Sequence, residues 1–222
     1  MRSQHLVTAL LTAVMLTPVV ASAQARVEVS GFGGWTISDG VAGDGARAQD
    51  GNIYNAIDIK DSFSWGLGVG FNVSETAEVG FLFNQQMSTL GVEGTNSVEI
   101  GDLSVTSYHP YLAYNFGEAD AAVRPFILVG LGATSYGSVP FTRSGFSGET
   151  GGDTQFSTTW AAGVKFFASP NVGLRIAATW TPTYITSEAG GMWCDPYWGC
   201  YVVGDSKYAH QFHLNGGITF RF

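Results

Sequence analysis

The chain has 222 residues, a formal net charge of −8, and 13% charged residues beside 14% aromatic ones and 30 glycines. A soluble domain carries about 25% charged residues, so this chain is short of charge to cover a water-exposed surface. Past the N-terminal apolar run no stretch approaches the ~18 residues that a spanning helix needs. Any passage through a membrane therefore falls to strands closed into a barrel, the other arrangement that satisfies every backbone group in lipid.

Arg2 and His5 precede an apolar run over residues 6–20, and Ala21-Ser22-Ala23 forms a small-residue cleavage site. This predicts a signal peptide over residues 1–23 and one mature domain over 24–222. With no cysteine at the site, a lipoprotein anchor is not expected.

Eight strands follow in the sequence. The first, residues 26–37, sets Val27, Val29, Trp35 and Ile37 against Glu28 and Ser30. The second, residues 62–73, alternates Phe63, Trp65, Leu67, Val69, Phe71 and Val73 with Ser, Gly and Asn, the period-2 signature of a strand with two unlike faces. The third and fourth, residues 77–90 and 103–116, have apolar faces of Val79, Phe81, Phe83 and Met87, then Tyr108, Leu112, Tyr114 and Phe116. The fifth, residues 123–136, has weak contrast, since Phe126 and Leu128 oppose Ile127 and Val129. The sixth and seventh span residues 155–168 and 172–184. The last, residues 207–222, alternates from Tyr208 up to a C-terminal aromatic, with Ile218, Phe220 and Phe222 on one face.

The connections alternate. Residues 74–76, 117–122 and 169–171 are short, while 38–61, 91–102, 137–154 and 185–206 are long, the pattern of short periplasmic turns and long extracellular loops. Both termini are then expected in the periplasm. A secreted soluble barrel also has about eight strands, but it shows a charged exterior around an apolar interior. Here the less apolar face is mostly Gly, Ser, Thr and Asn, which suits a narrow lumen.

Charge sorts by place under this reading. The long connections are acidic, whereas Glu28 and Glu78 share the inward faces with Arg124, Lys165, Arg175 and Arg221. Buried charges are costly unless paired or hydrated. The predicted lumen set is Glu28, Glu78, His109, Tyr111, Lys165, Arg175, Gln211, His213 and Arg221. It reads either as a network that plugs a barrel just wide enough for side chains or as the lining of a narrow path. Trp35, Trp65, Tyr108, Trp160, Trp180 and Tyr184 at one end of the strands, and Phe71, Tyr114, Phe116, Phe166 and Phe222 at the other, read as two aromatic girdles.

With the signal peptide, the eight strands, the turn Ser169-Pro170-Asn171 before Val172-Gly173-Leu174-Arg175, and the ending Ile218-Thr219-Phe220-Arg221-Phe222, the chain resembles the small eight-stranded outer-membrane β-barrels, including OmpA-like, OmpX-like and OmpW-like proteins. The resemblance implies an all-β, up-and-down antiparallel transmembrane barrel. It also implies Ile218, Phe220 and Phe222 as a signal for the barrel assembly machinery, and a monomer among outer-membrane lipid and lipopolysaccharide. It is specific for architecture. For activity it leaves open a structural or surface-interaction role, a small channel for ions or small hydrophobic solutes, and a lipid A-modifying enzyme.

Cys194 and Cys200 flank a short tip in the last long connection, and a disulfide between them is expected in an oxidising compartment. Trp193, Tyr197, Trp198 and Tyr201 would form a recognition tip for an unknown extracellular partner. Two thiolates without a nearby His supply too few ligands for zinc, and no cofactor is expected. Gly66-Leu67-Gly68-Val69-Gly70 lies inside a strand with no helix after it, so it is not a phosphate loop, and no nucleic-acid partner is expected. The mature chain lacks the His-x-Ser pattern of the lipid A deacylases of this fold, which argues against an enzyme.

Overall fold

The computed structural model describes residues 27–47, 51–143, 146–185, 194–195, 199–200 and 207–222. The expected signal peptide lies outside them. Eight long strands close on themselves: β1 (Val27–Ser38), β4 (Ser62–Asn72), β5 (Ala77–Gly94), β6 (Val98–Asn115), β7 (Val123–Arg143), β8 (Phe146–Phe167), β9 (Val172–Ile185) and β12 (Lys207–Arg221). Every pairing is antiparallel, and the barrel closes where β1 meets β12, with Glu28 opposite Arg221 and Ser38 opposite Gln211. Phe222 and Val27 exchange backbone hydrogen bonds across this seam.

Inside and outside follow the alternation. Leu112, Leu131 and Leu214 are each at least 60% exposed, and they belong to a continuous outer belt with Phe63, Leu67, Ile127, Leu174 and Ile218. A soluble monomer rarely shows a contiguous apolar patch above a few hundred Å². The belt therefore faces lipid, and the soluble-barrel alternative is excluded.

Serine hydroxyls cap two of the short turns. Ser74 Oγ accepts the Ala77 amide at 2.9 Å, and Ser169 Oγ accepts the Val172 amide at 3.1 Å. Two prolines interrupt the wall. The β6–β7 register skips from Tyr108–Ala133 to Tyr111–Gly130 around Pro110, and the β8–β9 register skips from Ser157–Thr183 to Trp160–Trp180 around Pro182. Proline offers no amide donor to a ladder.

The long connections are largely not loops, which corrects the expectation for residues 38–61, 91–102 and 137–154. β5 and β6 continue as one hairpin turning at residues 95–97, and β7 and β8 run on as another. The first connection folds into β2 (Val41–Arg47) and β3 (Ile53–Ile59), and β3 adds to the upper edge of β5. A small ladder, β10 (Cys194–Asp195) with β11 (Gly199–Cys200), lies beside β8 and β2 and sets Cys194 opposite Cys200. Trp193, Tyr197, Trp198 and Tyr201 fall outside the described residues.

This second storey has its own core: Tyr54, Ile57 and Ile59 pack with Leu90, Val92, Leu103, Val105, Tyr136, Val139, Phe141, Ile185 and Ala209. The inward face changes character at one height around the barrel. It passes from Ser88 to Leu90 on β5, from Ser107 to Val105 on β6, from Thr134 to Tyr136 on β7, and from Thr183 to Ile185 on β9. Above that line the inside is apolar and the outward positions turn polar, as they must where the wall leaves lipid for water.

Candidate functional site

The lumen is filled in layers. Nearest the short turns, Lys165 Nζ lies 2.6 Å from both Glu28 Oε2 and Glu78 Oε2. Arg221 donates to Glu28 at 2.9 Å, and Arg124 Nη1 lies 3.7 Å from the same carboxylate. Tyr111 donates to Glu78 at 2.7 Å and Asn115 at 3.0 Å, while Asn72 donates to Glu28 at 3.2 Å. Arg124 and Arg221 also donate to the backbone carbonyls of Glu75 and Ala119, which ties the plug to the turns. Three cations thus enclose two carboxylates, and all five side chains are buried. Charge-assisted bonds of this length are the strong ones.

An apolar belt sits above the plug: Phe32, Leu82, Phe126 and Leu128 meet Tyr111, Ala113 and Ala161. Arg175 stands between the layers, with its guanidinium 5.0 Å from the ring centres of both Phe32 and Phe126 and a 2.9 Å bond to Asn215. Such cation–π contacts are worth about 2 kcal/mol when desolvated. Glycine makes room for these side chains. A Cβ at Gly66 would strike the Phe32 ring, and one at Gly70 would strike Glu78 and Tyr111.

A polar layer comes next. His109 Nε2 and Ser157 Oγ are 2.9 Å apart, and Thr134 donates to the same hydroxyl at 2.9 Å. Gln211 donates to Gln86 at 2.6 Å, and Gln86 to Ser62 at 3.0 Å. His213 lies with its ring 6.0 Å from that of Phe32, and its Nε2 has no partner among the described residues.

All nine predicted lumen residues therefore point inward and are buried, but they do not form one network. Glu28, Glu78, Tyr111, Lys165 and Arg221 meet in the plug. Arg175 is held by rings and an amide, and His109, Gln211 and His213 belong to the upper layers. Sequence reasoning did not single out Asn72, Asn115 or the apolar belt. Phe126 and Leu128 blurred the fifth strand because an inward apolar residue looks like a lipid-facing one. Ile218 and Phe220 point outward on β12, and Phe222, just past its end, is exposed.

The void left among plug and belt is about 20 Å³, room for about one water. Among the described residues His109 and Ser157 are a base and a hydroxyl within bonding distance, but both are sealed inside and no carboxylate is bonded to the imidazole. No group of three His, Cys, Asp or Glu side chains converges on a metal position among the described residues. At the long-hairpin rim Lys60 is bonded to Asp58 and lies 4.0 Å from Glu93. The bond to Asp58 holds its ammonium above the ordinary lysine value.

A closed eight-stranded antiparallel barrel with a lipid-facing belt defines an integral outer-membrane protein. The chain belongs to the outer membrane protein beta-barrel domain family, whose model matches residues 6–220. Among solved structures it is similar to the outer membrane protein OprG from Pseudomonas aeruginosa, at 13% identity with a TM-score of 0.63, covering 89% of this chain and 96% of that one. It is also similar to Neisserial surface protein A, at 14% identity with a TM-score of 0.51, covering 91% of this chain and 100% of that one. At these identities the likeness concerns the fold alone. None of the curated proteins matches the chain by sequence.

Proposed function

We propose that the protein is a non-conducting, non-catalytic barrel with a structural or surface-interaction role, and that its working surface is the storey above the membrane. The observation that carries this reading is the lower lumen, where the ion plug and the apolar belt leave a void of about 20 Å³ between them. In this reading the short turns and both termini face the periplasm, following the habit of outer-membrane barrels. The β2–β3, β5–β6 and β7–β8 hairpins then face outward. Their rim is acidic: Asp58, Glu93 and Glu99 lie near Lys60, and the same connections carry Asp61, Asp102, Glu149 and Asp153. A disulfide between Cys194 and Cys200, which are cross-strand partners, would pin a tip carrying Trp193, Tyr197, Trp198 and Tyr201. The surrounding storey has its own core, which suits a rigid display surface better than a set of loose loops.

The experiment has two arms. Liposomes carrying the refolded mature protein are expected not to swell in small sugars or amino acids, and swelling above protein-free liposomes would favour the channel reading. Cells displaying the protein are expected to lose attachment or partner capture when Trp193, Tyr197, Trp198 and Tyr201 are changed to Ala, or Cys194 and Cys200 to Ser. Unchanged attachment at equal surface display would sink the recognition tip.

A further inference from the structure

Three cations stand side by side on the lumen face. Arg124, Lys165 and Arg175 are successive cross-strand partners on β7, β8 and β9, and like charges directly opposite one another are destabilising. The plug carboxylates answer Arg124 and Lys165, but not Arg175. Among the described residues Arg175 forms no ion pair, and one of its five N–H donors is used, in the Nη1 bond to Asn215.

The buried charge does not balance either. Among the described residues four buried cations, Arg124, Lys165, Arg175 and Arg221, face two buried carboxylates, Glu28 and Glu78. Arg124 and Arg221 are bonded to turn carbonyls, beside the exposed Glu75, Glu118 and Asp120. Arg175 stands deeper, between the Phe32 and Phe126 rings. Such rings return only part of the hydration that a buried guanidinium loses.

We propose that one halide ion, of the size of chloride, is built into the lumen between Arg175 and Lys165. Its site is the void of about 20 Å³ between plug and belt, which both cations line. Lys165 lies 5.5 Å from the centre of the Phe126 ring that Arg175 faces at 5.0 Å, so the two border the same space. Size selects the ion. Room for about one water admits a halide, which is little larger, and excludes sulfate, phosphate and carboxylate-bearing solutes. Charge selects it over water, because in a low-dielectric interior a unit charge beside a guanidinium outweighs a dipole. Glu28 and Glu78 share the lining, but each is already bonded: Glu28 by Lys165, Arg221 and Asn72, and Glu78 by Lys165, Tyr111 and Asn115. An anion between Arg175 and Lys165 turns their repulsion into attraction to a shared centre. The belt lies above the void and the plug below it, so the ion takes its place as the strands close, not through an open path. The assignment is independent of what the outer storey binds.

Refolding the mature protein in lipid bilayers in sodium chloride, sodium bromide or sodium gluconate, at one ionic strength, tests the site. Unfolding in urea is expected to be roughly tenfold slower in chloride and in bromide than in gluconate, whose anion is too large to enter. Arg175→Met should bring the chloride-to-gluconate ratio close to one. Crystals of the parent grown in bromide should show one anomalous peak beside Arg175 and Lys165, a reading that does not depend on whether the variant folds. Equal unfolding rates of the parent in chloride and gluconate, an undiminished ratio in Arg175→Met, or bromide crystals without that peak would each overturn the proposal.

Discussion

Lys165→Met removes the cation that bridges both lumen carboxylates. Glu28 keeps Arg221 at 2.9 Å and Arg124 at 3.7 Å. Glu78 keeps only neutral donors, Tyr111 and Asn115, while remaining buried. Breaking a buried ion pair by removing one partner costs about 3–5 kcal/mol, and two hydrogen bonds to charged groups at roughly 1.5–3 kcal/mol each span a similar range. We expect a loss of about 4 kcal/mol. The double variant Lys165→Met with Glu78→Gln removes the stranded charge as well and should recover about 2 kcal/mol relative to the single change. Urea unfolding of the refolded protein in lipid bilayers, followed by tryptophan fluorescence and checked by unboiled gel mobility, measures both. A single variant within about 1 kcal/mol of the parent, or a double variant no more stable than the single, would refute the plug as described.

Arg175→Ala exposes Phe32 and Phe126 to an empty site and strips Asn215 of its donor, so it should cost about 2–4 kcal/mol in the same assay. Two glycines on one face of β4 should behave oppositely. Gly70→Ala collides with Glu78 and Tyr111 and should cost about 1–3 kcal/mol. Gly68→Ala meets only Leu82 at 3.5 Å and Ser30 at 3.9 Å, and should be neutral or gain up to about 1 kcal/mol. Val139→Asp places a charge in the core of the second storey. Limited proteolysis should then cut the long hairpins while the barrel keeps its gel shift, and cleavage identical to the parent's would count against a packed storey.

The barrel was legible wherever the two faces of a strand differ. On β4 every outward residue is large and apolar and every inward one is small or polar, and the observed element, Ser62–Asn72, lies within one residue of the expected span. The inward position of Glu28, Glu78, Lys165, Arg175 and Arg221 followed from the same alternation, because a charge on the other face would sit in lipid. Which charges pair was not legible. Lys165 reaches two carboxylates across the lumen, whereas Arg175, its cross-strand partner, meets aromatic rings. That depends on where each long side chain reaches across the lumen, which period 2 does not encode.

The second storey was missed for a definable reason. Ile57, Ile59, Leu90, Val92, Leu103 and Val105 stand at lumen-facing parity, so read with the membrane rule they look like a failure of the pattern. In fact the rule inverts once the strand leaves lipid, and an inward face changing from Ser to Leu or Val marks that crossing on several strands. The signal was present in the alternation, but it becomes readable only when the membrane border is allowed to reverse it.

Single-channel recording of the refolded mature protein in planar lipid bilayers tests the filled lumen most directly. The account predicts a silent membrane from barrels that show the folded gel mobility. Discrete, reproducible conductance steps from the same preparation would contradict it, since a plug and belt with room for about one water between them offer no continuous path for ions.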